Sequence, residues 1–538
     1  MPPTHEVTNQ VPPLLGHDVA AHPSLLAGLR REGAAWAEPE LHELGRFAGS
    51  ATAQEWGRVA NTNPPVLRTH DRYGNRIDEV EFHPYWHELM TVGVEHGLQA
   101  APWRDERSGA HVARAAKLFV WSQVEAGHTC PLAMTYAAIP ALRHNKELAD
   151  RYESLLASKI YDFGLREPST KRGLIAGMSM TEKQGGSDVR ANTTTATPNA
   201  DGSYTIRGHK WFTSAPMSDV FLTLAQAPGG LSCFLLPRIL PDGARNRMHL
   251  QRLKDKLGNK SNASAELEYD DALGWLVGEE GRGVPTIIEM VNNTRLDCVV
   301  GSASGMRLGV AQAVHHASHR SAFGKLLIDQ PLMSNVLADL VVEAEAALVV
   351  ALRLAGASDR GEDAFRRLAL AVTKYWVCKR APMHAAEALE CLGGNGYVED
   401  SGLPLLYRDA PLPSIWEGSG NVAALDALRA MSRQPESVAA FFAELELAAG
   451  ADVRLDRSIE LLRKELADLN DIEFRARRVV ESMALVLQGS LLVRHGDPAV
   501  ADAFCASRLG EDWGIALGTL PSGVDSRAVI ASAWTESR

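Results

Sequence analysis

The spacing of apolar residues changes twice along this 538-residue chain, and those two changes limit the fold more than anything else in it. From about His22 to Ala157 the spacing is mainly helical; over 108–125, Val112, Ala115, Ala116, Phe119 and Val120 fall on related faces. Near Gly173 short β-prone runs take over, at 192–196, 204–206, 220–225, 231–236 and 265–269. Asn199-Ala200-Asp201-Gly202 separates two of them as a hairpin turn would. Helical spacing resumes near Pro285, continues through Arg320, and restarts after Gln330-Pro331, where proline suits a first helical turn. A further helical stretch follows Met431, for example at 458–469 and 476–492. The chain is too long for one core at roughly 150 residues per domain. The pattern predicts an α+β protein in four parts: a helical domain over 1–170, a β domain over 171–284, a helical bundle over 285–430 and an appended helical domain over 431–538.

Composition excludes several classes. No apolar run reaches the roughly 18 residues needed to cross a bilayer, so no membrane association is expected. The start, Met1-Pro2-Pro3-Thr4-His5-Glu6, lacks a basic region followed by an apolar core, which predicts a cytoplasmic protein. Gly301, Gly305 and Gly309 recur every four residues and allow close helix contact, but Arg295, Asp297 and Arg307 rule out a membrane dimer motif. Six scattered cysteines form no C-x-x-C pair, and His316 stands where H-E-x-x-H, framed here by His315 and His319, needs its glutamate. No metal is expected. A net charge of −11 repels a phosphate backbone, so nucleic-acid binding requires a local basic patch.

Several segments carry chemistry. In Ser414-Ile415-Trp416-Glu417-Gly418-Ser419-Gly420-Asn421 one carboxylate lies among an apolar pair and flexible residues, a setting for a proton-abstracting base whose pKa desolvation would raise. A helix entry with Ser419 as its cap fits the same residues. The run from Met178 to Asp188, with Thr181, Gly185, Gly186 and Ser187, can wrap a polar ring edge or a phosphate, or can be a surface turn. Gly208-His209-Lys210-Trp211-Phe212-Thr213-Ser214 places aromatic rings beside hydroxyls on a strand. Arg320-Ser321-Ala322-Phe323-Gly324 with Gln330 offers a guanidinium for phosphate and a ring for stacking. Gly393-Gly394-Asn395-Gly396-Tyr397 adds a glycine-rich approach after a helix.

In their order and chemistry these five segments resemble the acyl-CoA dehydrogenase family, over nearly all of residues 84–429. Ala60-Asn61-Thr62-Asn63-Pro64-Pro65, the Thr181-to-Asp188 run, Arg252-Leu253-Lys254-Asp255-Lys256-Leu257-Gly258-Asn259, Trp416 to Asn421 and the extra carboxyl-terminal domain are similar to its alkylation-response branch. The resemblance implies a central β-barrel-like domain between helical ones, FAD held between them and across a subunit contact, and a homotetramer. It implies flavin contacts at Met178, Met180, Thr181 and Ser187, with Trp211 and Thr213 flanking the redox edge. Arg320, Phe323, Gln330, Gly393 and Gly394 match positions that grip the adenine-diphosphate half from a neighbouring subunit, and Ser419 and Asn421 complete the set. Glu390 departs from the family's glutamine, and a carboxylate there would repel a diphosphate.

Glu417 falls on the family's base position, and Arg295 on that of an arginine near the acyl-CoA entrance; a helix-surface ion pair with Asp297 or a nearby acid fits Arg295 as well. The branch implies double-stranded DNA contact through the carboxyl-terminal domains. Residues 431–538 hold 12 Lys and Arg against 17 Asp and Glu, so a basic stripe would have to come from Arg429, Arg475, Arg477 and Arg478, with Arg454 and Arg457 as additions. Two functions follow from the resemblance: a flavoprotein protective against DNA alkylation, with weak acyl-CoA dehydrogenation, or a genuine acyl-CoA dehydrogenase with no DNA role. A flavin-bearing scaffold or redox sensor without useful turnover is a third.

Overall fold

The structure is a computed structural model that describes residues 4–510, 512 and 514–533; the first three residues of the start and the last five of the appended segment lie outside them. The chain divides into two compact units, one of residues 1–51, 111–123 and 298–538, the other of residues 52–110 and 124–297.

The second unit contains a sheet of seven strands: β3 (Ala176–Ser179), β4 (Thr195–Pro198), β5 (Tyr204–Ser214), β6 (Val220–Ala227), β7 (Gly230–Pro237), β8 (Met248–Leu253) and β9 (Ser264–Val277). β9 is long enough to pair with β5 over one stretch and with β7 over another; β7 then pairs with β6, and β6 with β3, which returns to β5. The sheet therefore closes on itself, as a barrel does, with β8 at the outer flank of β9. Ile206, Phe221, Phe234, Leu236, Leu250, Leu267 and Tyr269 fill its interior. The turn 199–202 joins β4 to β5, in antiparallel register from Pro198 opposite Tyr204.

Two features differ from the sequence reading. β3 and β8 were not among the expected strands. Residues 52–110, expected to be helical, include the hairpin β1 (Val66–His70) and β2 (Arg76–Glu81) beside helices such as Pro84–Glu95. Its turn is made by Asp71, whose carboxylate accepts from the backbone N–H of Tyr73 at 2.8 Å and of Asn75 at 2.9 Å.

The first unit is helical. Its long members are Pro331–Asp359, Asp363–Glu390 and Ile472–His495, with the Gly283–His319 helix contributing from Cys298 onward. Ile472–His495, from the appended segment, packs on Pro331–Asp359, Asp363–Glu390 and Gly420–Arg433. A buried ionic knot fixes their register. Arg508, in a π-helical turn at Cys505–Leu509, donates to Asp339 and, at 3.1 Å, to Glu343; Arg380 donates to the same Glu343 carboxylate at 2.9 Å. Asp339 also accepts from the Gly518 N–H at 2.8 Å. Burial pushes the Glu343 carboxyl up, but Arg380 and Arg508 outweigh it and hold it at about 2.

All six cysteines are buried, and burial pushes the thiols of Cys233, Cys391 and Cys505 up to about 12. On the Gly283–His319 helix, His315 Nε2 donates to the Pro12 carbonyl and His319 Nδ1 to that of His315, both at 2.8 Å. Among the described residues no helix is long and apolar enough to cross a membrane.

Removing one member of the knot leaves buried carboxylates short of a countercharge. Arg508→Met is expected to lower the unfolding free energy by about 3–5 kcal/mol, read from urea denaturation.

Candidate functional site

The expected site residues fall on two sets of elements, one in each unit. In the second unit β3 and β5 bring the first two segments into register. Met178 lies opposite Ser214, Ser179 opposite Thr213, and the Trp211 N–H donates to the Thr181 carbonyl at 2.8 Å. Met178, Met180, Thr181 and Trp211 are half-buried and Ser187 is exposed. Thr213 is buried, its hydroxyl bonded to that of Ser179, so that side chain faces the interior of the sheet.

Glu182 holds this corner. One carboxylate oxygen accepts from the Thr193 N–H at 2.6 Å and its hydroxyl at 2.9 Å; the other accepts from the Thr194 N–H at 3.1 Å and from Lys210 Nζ at 2.9 Å. Burial raises the Glu182 carboxyl, yet these donors and the Lys210 charge bring it down to about 2. The loop from Thr181 to Thr194 is thereby tied to the barrel wall. A Cβ on Gly186 would lie 2.7 Å from the Thr181 hydroxyl, so the backbone passes the threonine at a distance only glycine permits. Lys254 Nζ sits 3.3 Å from the Trp211 ring centroid, held by Glu266 at 2.8 Å.

In the first unit Glu417 ends a turn in which the Trp416 N–H donates to the Leu412 carbonyl at 3.0 Å. Its φ is +56°, in the left-handed region that a glutamate rarely adopts, and Gly418 follows at +104°. Lys374, 1% exposed in the middle of the Asp363–Glu390 helix, donates from Nζ to the Gly418 carbonyl. A buried ammonium thus holds the backbone immediately after the candidate base. The Gly420–Arg433 helix begins two residues on; Ser419 is its N-cap, and its side chain makes no capping bond. Asn421 Oδ1 accepts from Arg477 Nε at 2.8 Å.

Three expectations need correcting. Ile415 is 62% exposed, so the shielding of Glu417 expected from it is not supplied within the chain. Arg295 and Asp297 are buried, at 5% and 8% exposure, so the alternative of a surface ion pair does not hold. The arginines of 475–478 do not all share one face: Arg475 and Arg478 lie 3.7 and 3.6 Å from the same Glu465, whereas Arg477 turns to Asn421. Arg475 also donates to the carbonyls of Asp468 at 2.6 Å and Asn470 at 2.9 Å, and Arg429 lies 3.7 Å from Asp426.

Arg320 donates to the Asn9 carbonyl beneath a two-stranded hairpin, β10 (Ser321–Ala322) and β11 (Lys325–Leu326). Phe323 at its tip is 100% exposed, and Gln330 Nε2 donates to the Ala322 carbonyl at 3.1 Å. Gly393 and Gly394 open a 3-10 turn, Gly393–Tyr397, with no atom near where their side chains would be. Glu390, just before it, is exposed.

Sequence reasoning missed Lys374, Glu182 and Lys210. For Lys374 a signal existed: Leu370, Ala371, Val377 and Cys378, its neighbours at helical spacing, are all apolar, which places a lysine at the centre of a buried stripe. Within the second unit, hydroxyls at Thr181 and Ser187, an indole at Trp211 and the cradle at Gly186 suit the polar edge, ribityl chain and ring of FAD.

Residues 177–272 match the acyl-CoA dehydrogenase middle domain and residues 281–432 the acyl-CoA dehydrogenase C-terminal domain; residues 9–163 match the adaptive response protein AidB N-terminal domain. The chain belongs to the acyl-CoA dehydrogenase family and is an FAD-dependent oxidoreductase. It is 44% identical to AidB of Escherichia coli (strain K12) over 524 residues, 96% of each chain. It is 33% identical to acyl-CoA dehydrogenase family member 11 of Caenorhabditis elegans over 503 residues, 86% of this chain and 81% of that one. The crystal structure of Caenorhabditis elegans ACDH-11 in complex with C11-CoA superimposes with a TM-score of 0.84 at 30% identity, covering 98% of this chain and 93% of that one.

A charge-assisted hydrogen bond contributes about 1.5–3 kcal/mol, and each 1.4 kcal/mol is tenfold. Lys374→Met is therefore expected to speed amide hydrogen exchange in residues 416–420 by about tenfold or more, measured by mass spectrometry on the native protein.

Proposed function

We propose that the chain dehydrogenates an acyl-CoA thioester, with Glu417 taking the α proton. The supporting observation is the backbone at Glu417: a half-buried carboxylate in a left-handed conformation, followed by a carbonyl fixed by buried Lys374. Such strain persists only where surrounding contacts over-determine it, and it concentrates at working residues. When bound, FAD supplies the acceptor for the hydride that leaves the β carbon. The carboxylate accepts the α proton, and Lys374 keeps the acid's backbone from relaxing as that proton arrives. Thr181, Ser187, Ser419 and Asn421 orient the cofactor by hydrogen bonds, with Met178, Met180 and Trp211 around its ring and Thr213 contributing its backbone, its hydroxyl being turned to Ser179. Arg320, Phe323, Gln330, Gly393 and Gly394 serve the adenine-diphosphate half of a neighbouring subunit's FAD in a cytoplasmic homotetramer. The fully exposed Phe323 on a clasped hairpin supports that assembly, since such a ring gains by being covered.

A role in the response to DNA alkylation is the second part of this reading. It is supported by likeness to AidB over nearly the whole chain, appended segment included, and by the adaptive-response family match at 9–163. DNA contact would come through the appended helices. The arginines expected there are engaged with carboxylates, carbonyls or Asn421, in a segment of net negative charge.

Glu417→Gln is expected to leave the protein yellow and to slow bleaching of the flavin band by acyl-CoA, under anaerobic conditions, by about 10²–10⁴-fold; bleaching at the wild-type rate would remove Glu417 from the role. For DNA, gel shifts with duplex at rising salt are expected to show binding that weakens steeply as counterions compete. No shift at the lowest salt would leave the dehydrogenase without a nucleic-acid role.

A further inference from the structure

Arg477 was expected on a nucleic-acid surface, but its Nε donates to Asn421 Oδ1 at 2.8 Å. The two residues come from different parts of the chain. Asn421 is in the first turn of the Gly420–Arg433 helix, four residues after Glu417, and Arg477 lies on Ile472–His495 of the appended segment. The approach is close: a Cβ placed on Gly420 would lie 3.6 Å from Arg477 Nη2 and 3.3 Å from the Lys379 side chain.

An asparagine amide has one accepting and one donating end, and it can turn over. With Oδ1 engaged by a cation, the amide is locked and Nδ2 must point the other way, as a donor. We infer that Arg477 is a positioning residue for FAD, which fixes the Asn421 amide so that Nδ2 offers its N–H groups to an acceptor atom of the cofactor. This rests on the reading that Asn421 contacts FAD. It makes cofactor retention depend on a helix outside the part of the chain that matches the dehydrogenase C-terminal domain, which ends at residue 432.

The test is FAD release on dilution of the full-length holoprotein, followed by flavin fluorescence, alongside thermal unfolding of each variant. Asn421→Asp keeps an acceptor for Arg477, now as an ion pair, and loses the donor. It is expected to release FAD about three- to tenfold faster without loss of thermal stability, a split that a purely structural role would not give. Arg477→Met is expected to speed release to a similar degree, Arg477→Lys to restore most of the retention, and the double variant Arg477→Met with Asn421→Asp to be no worse than Asn421→Asp alone. Faster release from Asn421→Asp with wild-type release from Arg477→Met would overturn the positioning role and leave the Asn421 contact standing. Wild-type release from Asn421→Asp would sink both. Additive effects in the double variant would mean that the two residues act independently, which also overturns the inference.

Discussion

The bond from Lys374 to the Gly418 carbonyl is the contact on which the candidate base depends. A glutamate at positive φ stores strain on the order of 1–3 kcal/mol, while Gly418 beside it adopts its own positive φ freely. A single neutral hydrogen bond would barely offset it; a desolvated ammonium can. The lysine is itself rigid, because its helix is held six residues further on by Arg380, which grips Glu343 together with Arg508. Packing and ion pairing deep in the helical unit are thus carried, through one side chain, to the backbone of a single acid.

The same device recurs in the barrel unit. Glu182 is buried with four donors around it, Lys210 among them, and it secures the loop that carries Thr181 and Ser187. Neither Lys374 nor Glu182 is one of the residues expected to touch cofactor. Each is a buried charge whose partners lie on another element, and burying an ion is tolerable only when its hydrogen bonds are met. Conformational definition at the expected contacts is what that cost obtains.

How much of this was legible in the sequence depended on which physical signal each feature left. β4, β5, β6, β7 and β9 each contain a β-prone run between turn formers, and all were located. β3 was not, because Ala-Gly-Met-Ser has no β-branched residue and was read as part of a glycine-rich loop. In β8 a register shift between Leu250 and Arg252 breaks the alternation after three residues. The turn at 71–75 was recognised, but the strands beside it are short and only partly buried, so the hairpin passed as a loop between helices. The segment around Glu417 was legible as a motif, whereas its left-handed backbone and its lysine support were not, being tertiary facts. The run Arg475-Ala476-Arg477-Arg478 divides for a geometric reason: consecutive helical residues are about 100° apart, so Arg477 reaches Asn421 while Arg478 joins Arg475 beside Glu465.

The burial of every cysteine has a consequence for a protein whose relatives include one described by an adaptive response. Soft electrophiles, methylating agents among them, attack sulfur as the thiolate, and the rate scales with the fraction ionised and open to solvent. With three of its six thiols pushed to about 12 and none at the surface, this chain offers such reagents almost no nucleophile of that kind. Its sulfhydryls stay closed to reagents in solution for as long as the fold around them holds.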